Sequence, residues 1–446
     1  MAIGQMAFAL WMAVATAVAA APATLRLTSD WEIKVEADGI AATVTVDRPE
    51  QVKVVDERIR KLPVFNTSGA AYARGERLNG VRAQECSVRH ALDPESLAVR
   101  LAPGGAALVR GKDYDAELSW GCVGRLEGGS IGADTPVFLS YTYGTMRLDS
   151  VVLTADRKVV LRRGVPMLMD RDRAASLGQE TLRILAAGSY RNRAEEVVNI
   201  STALRNAKEN TRAYPPDQPL PRVNPGQKQT LVDVLNETTL DTSRRLVGEG
   251  HRPVALNFAS ATHPGGGFLT GARAQEESLA RSSGLYACLA GRQMYEFHRA
   301  QGNAMYSNYA IYSPDVPVFR SDDGALLDKP YLCSFITSPA MNAKVVLERE
   351  PGRGPAIREA MRERIHKVLT VAAIHGHSRV VLGAWGCGAF GNDANTIADL
   401  FREALGVSFQ GVFDQVVFAV TDWSPERRFI GPFSLAFAGE SAAEPA

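Results

Sequence analysis

Two adjacent carboxylates, Glu276 and Glu277, follow closely on a run of three glycines in His263-Pro-Gly-Gly-Gly-Phe-Leu-Thr-Gly-Ala-Arg-Ala-Gln-Glu-Glu277. Side chains one residue apart on a helix point ~100° apart, so this pair cannot flank a sugar from opposite sides as paired glycosidase carboxylates do. They can share one crevice, where like-charge proximity and partial burial raise one pKa into the working range of a general acid. Gly265, Gly266 and Gly267 lack a Cβ, which lets backbone N–H groups approach a ligand closely. Two glutamates at a helix start are also what dipole compensation alone would place there. The triple glycine at the end of a strand shifts the weight, because both features converge on one crevice. A second segment, Gly383-Ala-Trp-Gly-Cys-Gly-Ala-Phe-Gly-Asn-Asp393, matches G-x-G-x-x-G at Gly386, Gly388 and Gly391. Such a loop, leading into a helix, favours a phosphate or pyrophosphate. A dinucleotide site would also want an acid ending the next strand, a place that Asp422 roughly fills.

These residues need elements to hold them. Ala174 to Ala187 reads as a helix with Gly188 just past its end, and five prolines from Pro215 to Pro225 make an extended loop. Strand-like runs then alternate with helices. Val254–Ala259 is a buried strand, with a helix from about Gln275; Tyr309–Tyr312 and Leu332–Thr337 are further strands. Pro355–Ile374 is a helix ending at Gly376, Arg379–Leu382 a strand, Asp393–Leu405 a helix and Gln415–Val420 the last strand. The alternation predicts a three-layer α/β domain with a mainly parallel or mixed sheet over 166–440. Residues 25–165 read differently. Period-two alternation in Trp31–Ala37, Ala41–Val46, Val137–Tyr143 and Lys158–Arg162, with turns at Gly104-Gly105 and Gly128-Gly129, predicts a β-rich accessory domain, a sandwich or small barrel.

Composition bounds the rest. The chain has 446 residues, with 50 Lys+Arg against 49 Asp+Glu, a net charge of +1. That argues against a polyanion-binding surface spread over the whole chain, and no sequence-specific nucleic-acid partner is expected. A hydrophobic fraction of 46% excludes a largely disordered chain. Residues 1–24 are uncharged and apolar, with Ala21-Pro-Ala23 shaped like a cleavage site, so they resemble a secretory signal that lacks a basic start. Export would fit a Cys86–Cys122 bridge. The five cysteines contain no CxxC pair, no structural zinc site is expected, and no later run is long enough for a membrane span.

Taken together, the residues resemble the microbial-type poly(ADP-ribose) glycohydrolases, a family built on a macro-domain fold. The signature is Gly265–Gly267 with Gln275-Glu276-Glu277. Similarity extends through Arg171-Asp-Arg-Ala, Gln179-Glu-Thr-Leu182, Gly188-Ser-Tyr190, Tyr214-Pro-Pro216, Asn236-Glu-Thr-Thr239, Asn257-Phe-Ala-Ser260, Tyr312-Ser-Pro314, Phe335–Ala340, Trp385-Gly-Cys-Gly388 and Phe390-Gly-Asn-Asp393. It covers about residues 167–436. The resemblance implies hydrolysis of ribose–ribose O-glycosidic bonds in poly(ADP-ribose), carried on ADP-ribosylated proteins, through an oxocarbenium-like transition state and without a cofactor or metal. Relatives of this kind are usually intracellular, which conflicts with the export-like start.

The implied roles follow residue by residue. Glu277 is the general acid, Glu276 holds ribose and leaving-group hydroxyls, and Gln275 orients the carboxylates or the substrate. Gly265–Gly267 on one side, and Gly386, Gly388, Ala389 and Gly391 on the other, clamp the pyrophosphate. Phe390 covers a ribose or adenine face and Asn257 bonds ribose hydroxyls. Ser338-Pro-Ala340 lines the crevice, and His263 shapes its turn. His375 and His377 look metal-like but have no third ligand nearby in sequence. Arg273 and Arg281 are expected as solvated charges beside the glutamates. Three other readings stay open: an ADP-ribose-binding macro domain without activity, a mono-ADP-ribosyl hydrolase, and a Rossmann oxidoreductase, which gives the signature no role.

Overall fold

The computed structural model describes residues 24–438 except 30, 38, 49–50, 82–89, 146–148, 154–156, 163–170, 193, 423 and 425. The export-like start and Cys86 of the expected bridge lie outside the described residues. The chain divides into two compact units, one ending at Asp170 and the other beginning at Arg171.

The first unit is built from strands. Thr24–Ser29, Glu32–Ala37 and Ile40–Thr45 form one antiparallel meander. A second sheet pairs Val137–Gly144 with Gln51–Ile59 and Ala98–Arg100, and a third pairs Cys122–Arg125 with Glu76–Arg77 and Tyr114–Glu117. Alternation in Val137–Gly144 turns Val137, Leu139, Tyr141 and Tyr143 inward. They meet Tyr114, Ala116 and Val123 of the third sheet in one apolar core.

The second unit carries a seven-stranded sheet: β1 (Arg212–Tyr214), β2 (Leu231–Leu235), β3 (Val254–Phe258), β4 (Ala310–Arg320), β5 (Leu326–Ser338), β6 (Arg379–Leu382) and β7 (Gln415–Ala419). The spatial order is β1-β4-β5-β3-β6-β7-β2. Strands β5, β3, β6, β7 and β2 run parallel, and β4 lies antiparallel to β1 and β5, so the sheet is mixed. The helices are α1 (Arg171–Ala187), α2 (Ser201–Asn210), α3 (Thr239–Gly248), α4 (Gln275–Ser282), α5 (Leu285–Leu289), α6 (Gln293–Gln301), α7 (Ala343–Arg349), α8 (Gly354–Ile374), α9 (Ala394–Glu403) and α10 (Ile430–Ala436).

Successive strand residues feed opposite cores. Val254, Leu256, Val380 and Phe418 pack with Met361, Ile365 and Leu369 of α8 and Phe401 of α9. Ala255, Val381 and Val417 pack instead with Leu246 of α3, Leu279 of α4, Leu285 of α5 and Met294 of α6. A sheet covered on both faces needs continuous apolar strands, which is why Val254-Ala-Leu256 shows no alternation. Helix ends fall where glycine permits a left-handed residue: Gly188 after α1 has φ +65° and Gly376 after α8 has φ +72°.

Candidate active site

Gln275 joins the carboxyl end of β3 to the first turn of α4. Its Oε1 accepts the Phe258 N–H at 2.9 Å, while Nε2 donates to the Leu256 carbonyl at 2.7 Å and to Thr239 Oγ1 at 3.1 Å. Its amide thus ties the first turn of α4, which carries the two glutamates, to β3 and α3. Glu276 Oε2 accepts the Ser260 N–H at 2.6 Å, and Glu277 Oε1 accepts the Gly267 N–H at 2.9 Å. Both carboxylates face the backbone of Gly266. A Cβ there would lie 2.9 Å from Glu276 Oε2 and closer still to Glu277 Oε1.

The pair is shielded from water, with Glu276 3% and Glu277 8% exposed. Burial pushes the Glu276 carboxyl well above the ordinary glutamate range; the Ser260 N–H opposes the shift and the neighbouring Glu277 charge adds to it. Three acceptors are left over. Glu276 Oε1, Glu277 Oε2 and Asn257 Oδ1 are buried with no hydrogen-bond partner among the described residues. An unpaired buried acceptor costs about 1–3 kcal/mol, so three beside one another mark a place where a ligand's hydroxyl groups would be welcome. Asn257 is fully buried in β3, its Nδ2 donating to Thr337 Oγ1 of β5 at 3.2 Å.

The triple-glycine loop does different work from that expected of it. Gly265 and Gly266 take positive φ, +72° and +57°. The Gly266 N–H donates to the His263 carbonyl at 3.0 Å and the Gly267 N–H to Glu277. Two of the three amides expected to clamp a diphosphate are therefore committed inside the protein, one of them to Glu277. Exposed His263 supplies the turn's carbonyl, and its Nδ1 meets Thr262 Oγ1 at 2.9 Å. Arg281 also departs from expectation. It is 4% exposed rather than solvated, and its guanidinium donates to the Ala272 carbonyl and, at 3.4 Å, to Ser278 Oγ. Arg273 is half-buried.

The second glycine loop follows β6, the parallel neighbour of β3, so both loops emerge at the carboxyl ends of adjacent strands. It is folded around Asn392, whose N–H and Nδ2 both donate to the Gly386 carbonyl, at 3.0 and 3.1 Å. Gly386 has φ +75°, and a Cβ there would meet Ala340 Cβ and Asn392 Nδ2 at about 2.5–2.6 Å. Gly388 and Ala389 are exposed, and Phe390 is half-buried with its ring centroid 6.3 Å from that of Tyr306. Within the described residues, the N–H groups of Gly388, Ala389 and Phe390 make no hydrogen bond to the protein, whereas that of Gly391 donates to the Gly388 carbonyl at 3.0 Å. Asp393 caps α9, its Oδ1 accepting the Thr396 N–H at 2.7 Å. Buried Cys387 has its thiol pushed up to about 12 by burial.

Several residues singled out by pattern have structural duties. Asp422 accepts the N–H groups of Ser424, Phe429 and Ile430, fixing the turn into α10, so it does not serve as a ribose acid. His375 Nε2 pairs with Tyr214 Oη at 2.7 Å and His377 Nε2 with Tyr312 Oη at 2.8 Å. Ser338 Oγ donates to the Tyr309 carbonyl at 3.1 Å, and Ala340 sits against Gly386. Pattern reading did not single out the Ser260 amide that holds Glu276. Backbone groups leave no trace in residue type.

Comparison with known proteins gives concordant results. The model of the microbial-type PARG catalytic domain matches residues 178–321. The crystal structure of poly(ADP-ribose) glycohydrolase from Thermomonospora curvata is 45% identical, covering 60% of this chain and 100% of that one, with a TM-score of 0.57. The same enzyme bound to the inhibitor ADP-HPD matches at 45% identity and equal coverage, with a TM-score of 0.56. Poly(ADP-ribose) glycohydrolase from Deinococcus radiodurans in complex with ADP-ribose is 42% identical over 52% of this chain and 96% of that one, with a TM-score of 0.50. No curated protein matches the chain.

Proposed function

The chain belongs to the microbial-type poly(ADP-ribose) glycohydrolases, and from that premise we propose that its second unit hydrolyses the ribose–ribose O-glycosidic bonds of poly(ADP-ribose), freeing ADP-ribose. The mixed sheet covered on both faces is read as a macro domain, and the strand-built first unit as a β-rich, sandwich-like accessory domain. The observation that carries the reading is the convergence of Glu276 and Glu277 on Gly266, each with one carboxylate oxygen anchored and the other unpaired.

Anchoring decides which atom does what. Glu277 Oε1 is held by Gly267, so Oε2 delivers the proton to the departing ribose oxygen. Glu276 Oε1 and Asn257 Oδ1 accept ribose hydroxyls. A hydroxyl donated to Glu276 stabilises its charged form. As the bond breaks, positive charge grows on the ribose and the Glu276 carboxylate offsets it. Water attacks the cation, aided by a phosphate oxygen of the bent substrate, and the Glu277 carboxylate takes up the water's proton. The free amides of Gly388, Ala389 and Phe390, backed by the N-terminus of α9, bind the diphosphate with Gly386 and Gly391 shaping the turn. Phe390 covers the ribose, and Gly265–Gly267 keep the opposite side narrow.

Product analysis of the full chain with labelled poly(ADP-ribose) and with a mono-ADP-ribosylated protein tests the proposal. Free ADP-ribose from the polymer is expected. Release only from the mono-modified protein, or ADP-ribose binding without release from either substrate, would contradict it.

A further inference from the structure

Arg281 has no part in the chemistry above, yet its burial needs a reason. A guanidinium removed from water requires partners, and this one is surrounded on several sides. Glu277 stands one turn back on α4, Asp322 lies beyond the end of β4, and Arg273 and Arg320 add positive charge. Asp322 in turn accepts from Thr238 Oγ1 at 2.6 Å and is influenced by Asp241. Arg320 is paired with Glu180 at 2.9 Å. The Arg281 backbone carbonyl is itself gripped by Thr181 Oγ1 of α1 and by Arg320 Nε at 3.3 Å.

The side-chain bonds close a ring. The Arg281 guanidinium donates to the Ala272 carbonyl, the Ala272 N–H donates to the Gly267 carbonyl at 3.1 Å, and the Gly267 N–H donates to Glu277 Oε1 at 2.9 Å. One turn of α4 completes the circuit back to Arg281.

We propose that Arg281 is a positioning residue for the reaction, closing a hydrogen-bonded ring that fixes the Glu277 carboxylate and supplying the buried positive charge that makes its ionised form tolerable after the proton has left. The inference rests on the glycohydrolase reading. Burial draws the guanidinium down to about 10, still far above neutral pH, so Arg281 keeps its charge throughout turnover.

The test compares the full-length parent with Arg281→Met and Arg281→Lys, measuring kcat and KM of polymer hydrolysis, with ADP-ribose affinity in parallel. In Arg281→Met, kcat should fall on the order of 10- to 100-fold, while KM and ADP-ribose Kd should stay within about threefold. Arg281→Lys keeps the charge without the two-pronged reach, so its kcat should fall less. A Met variant with parent kcat, or one whose loss is matched by weaker ADP-ribose binding, overturns the proposal. If that variant does not fold, the Lys variant decides. Lowered kcat at unchanged ADP-ribose affinity supports the ring, and parent kcat overturns it. A parent chain inactive on polymer would sink the glycohydrolase reading itself, a separate outcome.

Discussion

Gly266 and Glu276 show how tightly single residues are constrained. A methyl group at Gly266 would enter the space of both carboxylates, and its φ of +57° disfavours any L side chain. Gly266→Ala should therefore lower polymer hydrolysis at least about 100-fold, read as kcat/KM beside the parent; near-parent kcat/KM would show that the carboxylates do not converge there. Glu276 makes a different prediction, about pH. Its folded-state proton affinity is raised above that of an ordinary glutamate, so its contribution to stability is full below the ordinary value and lost as pH rises through the folded one. Glu276→Gln removes the titration. Its Tm should gain on the parent's as pH rises above the ordinary glutamate range, and a difference that stays constant with pH would contradict the account. At this scale residue type and order revealed the glycines and acids. They did not reveal that burial acts most strongly on Glu276, or that Arg281 is enclosed, because enclosure comes from α1 and β4, distant in sequence.

Elements turn those residues into a site. Gln275 fastens the first turn of α4, which carries both glutamates, to β3. Gln275→Leu keeps the bulk, strands the Phe258 N–H, and frees the helix start. It should cost about 1–3 kcal/mol of stability by denaturant unfolding and lower kcat more than it raises KM. Unchanged stability with unchanged kcat would deny Gln275 that role. The same logic applies at α9, where Asp393→Ala removes the cap on the helix behind the second loop. The loss should be ~1 kcal/mol together with weaker ADP-ribose binding, measured by calorimetry. Elements with strong punctuation were legible: α1 with Gly188, α8 with Gly376, and β6. α2 was not singled out, since its N-cap is Ile200 with no side-chain cap bond. β1 and β2 were missed because each is short and flanks the proline-rich loop, and their place in the sheet is set by pairing with β4 and β7.

At the scale of the whole chain, the two units differ in kind. Neither loop nor carboxylate of the site comes from the strands before Asp170, and the Thermomonospora relative matches only 60% of this chain while being covered entirely. A chain beginning at residue 166 should keep kcat/KM on polymer within about tenfold, ~1.4 kcal/mol, and a complete loss would assign the first unit a part in catalysis. In the sequence, period-two alternation gives way after roughly Pro166 to strands alternating with helices, whereas the pairing of the N-terminal strands left no such mark, because register there depends on partners far apart in sequence. The central claim concerns the acid at Glu277, and one paired measurement reaches it directly: hydrolysis of poly(ADP-ribose) and binding of ADP-ribose by Glu277→Gln. Release should vanish while ADP-ribose Kd stays within about tenfold of the parent. Polymer cleavage at the parent rate would contradict the account.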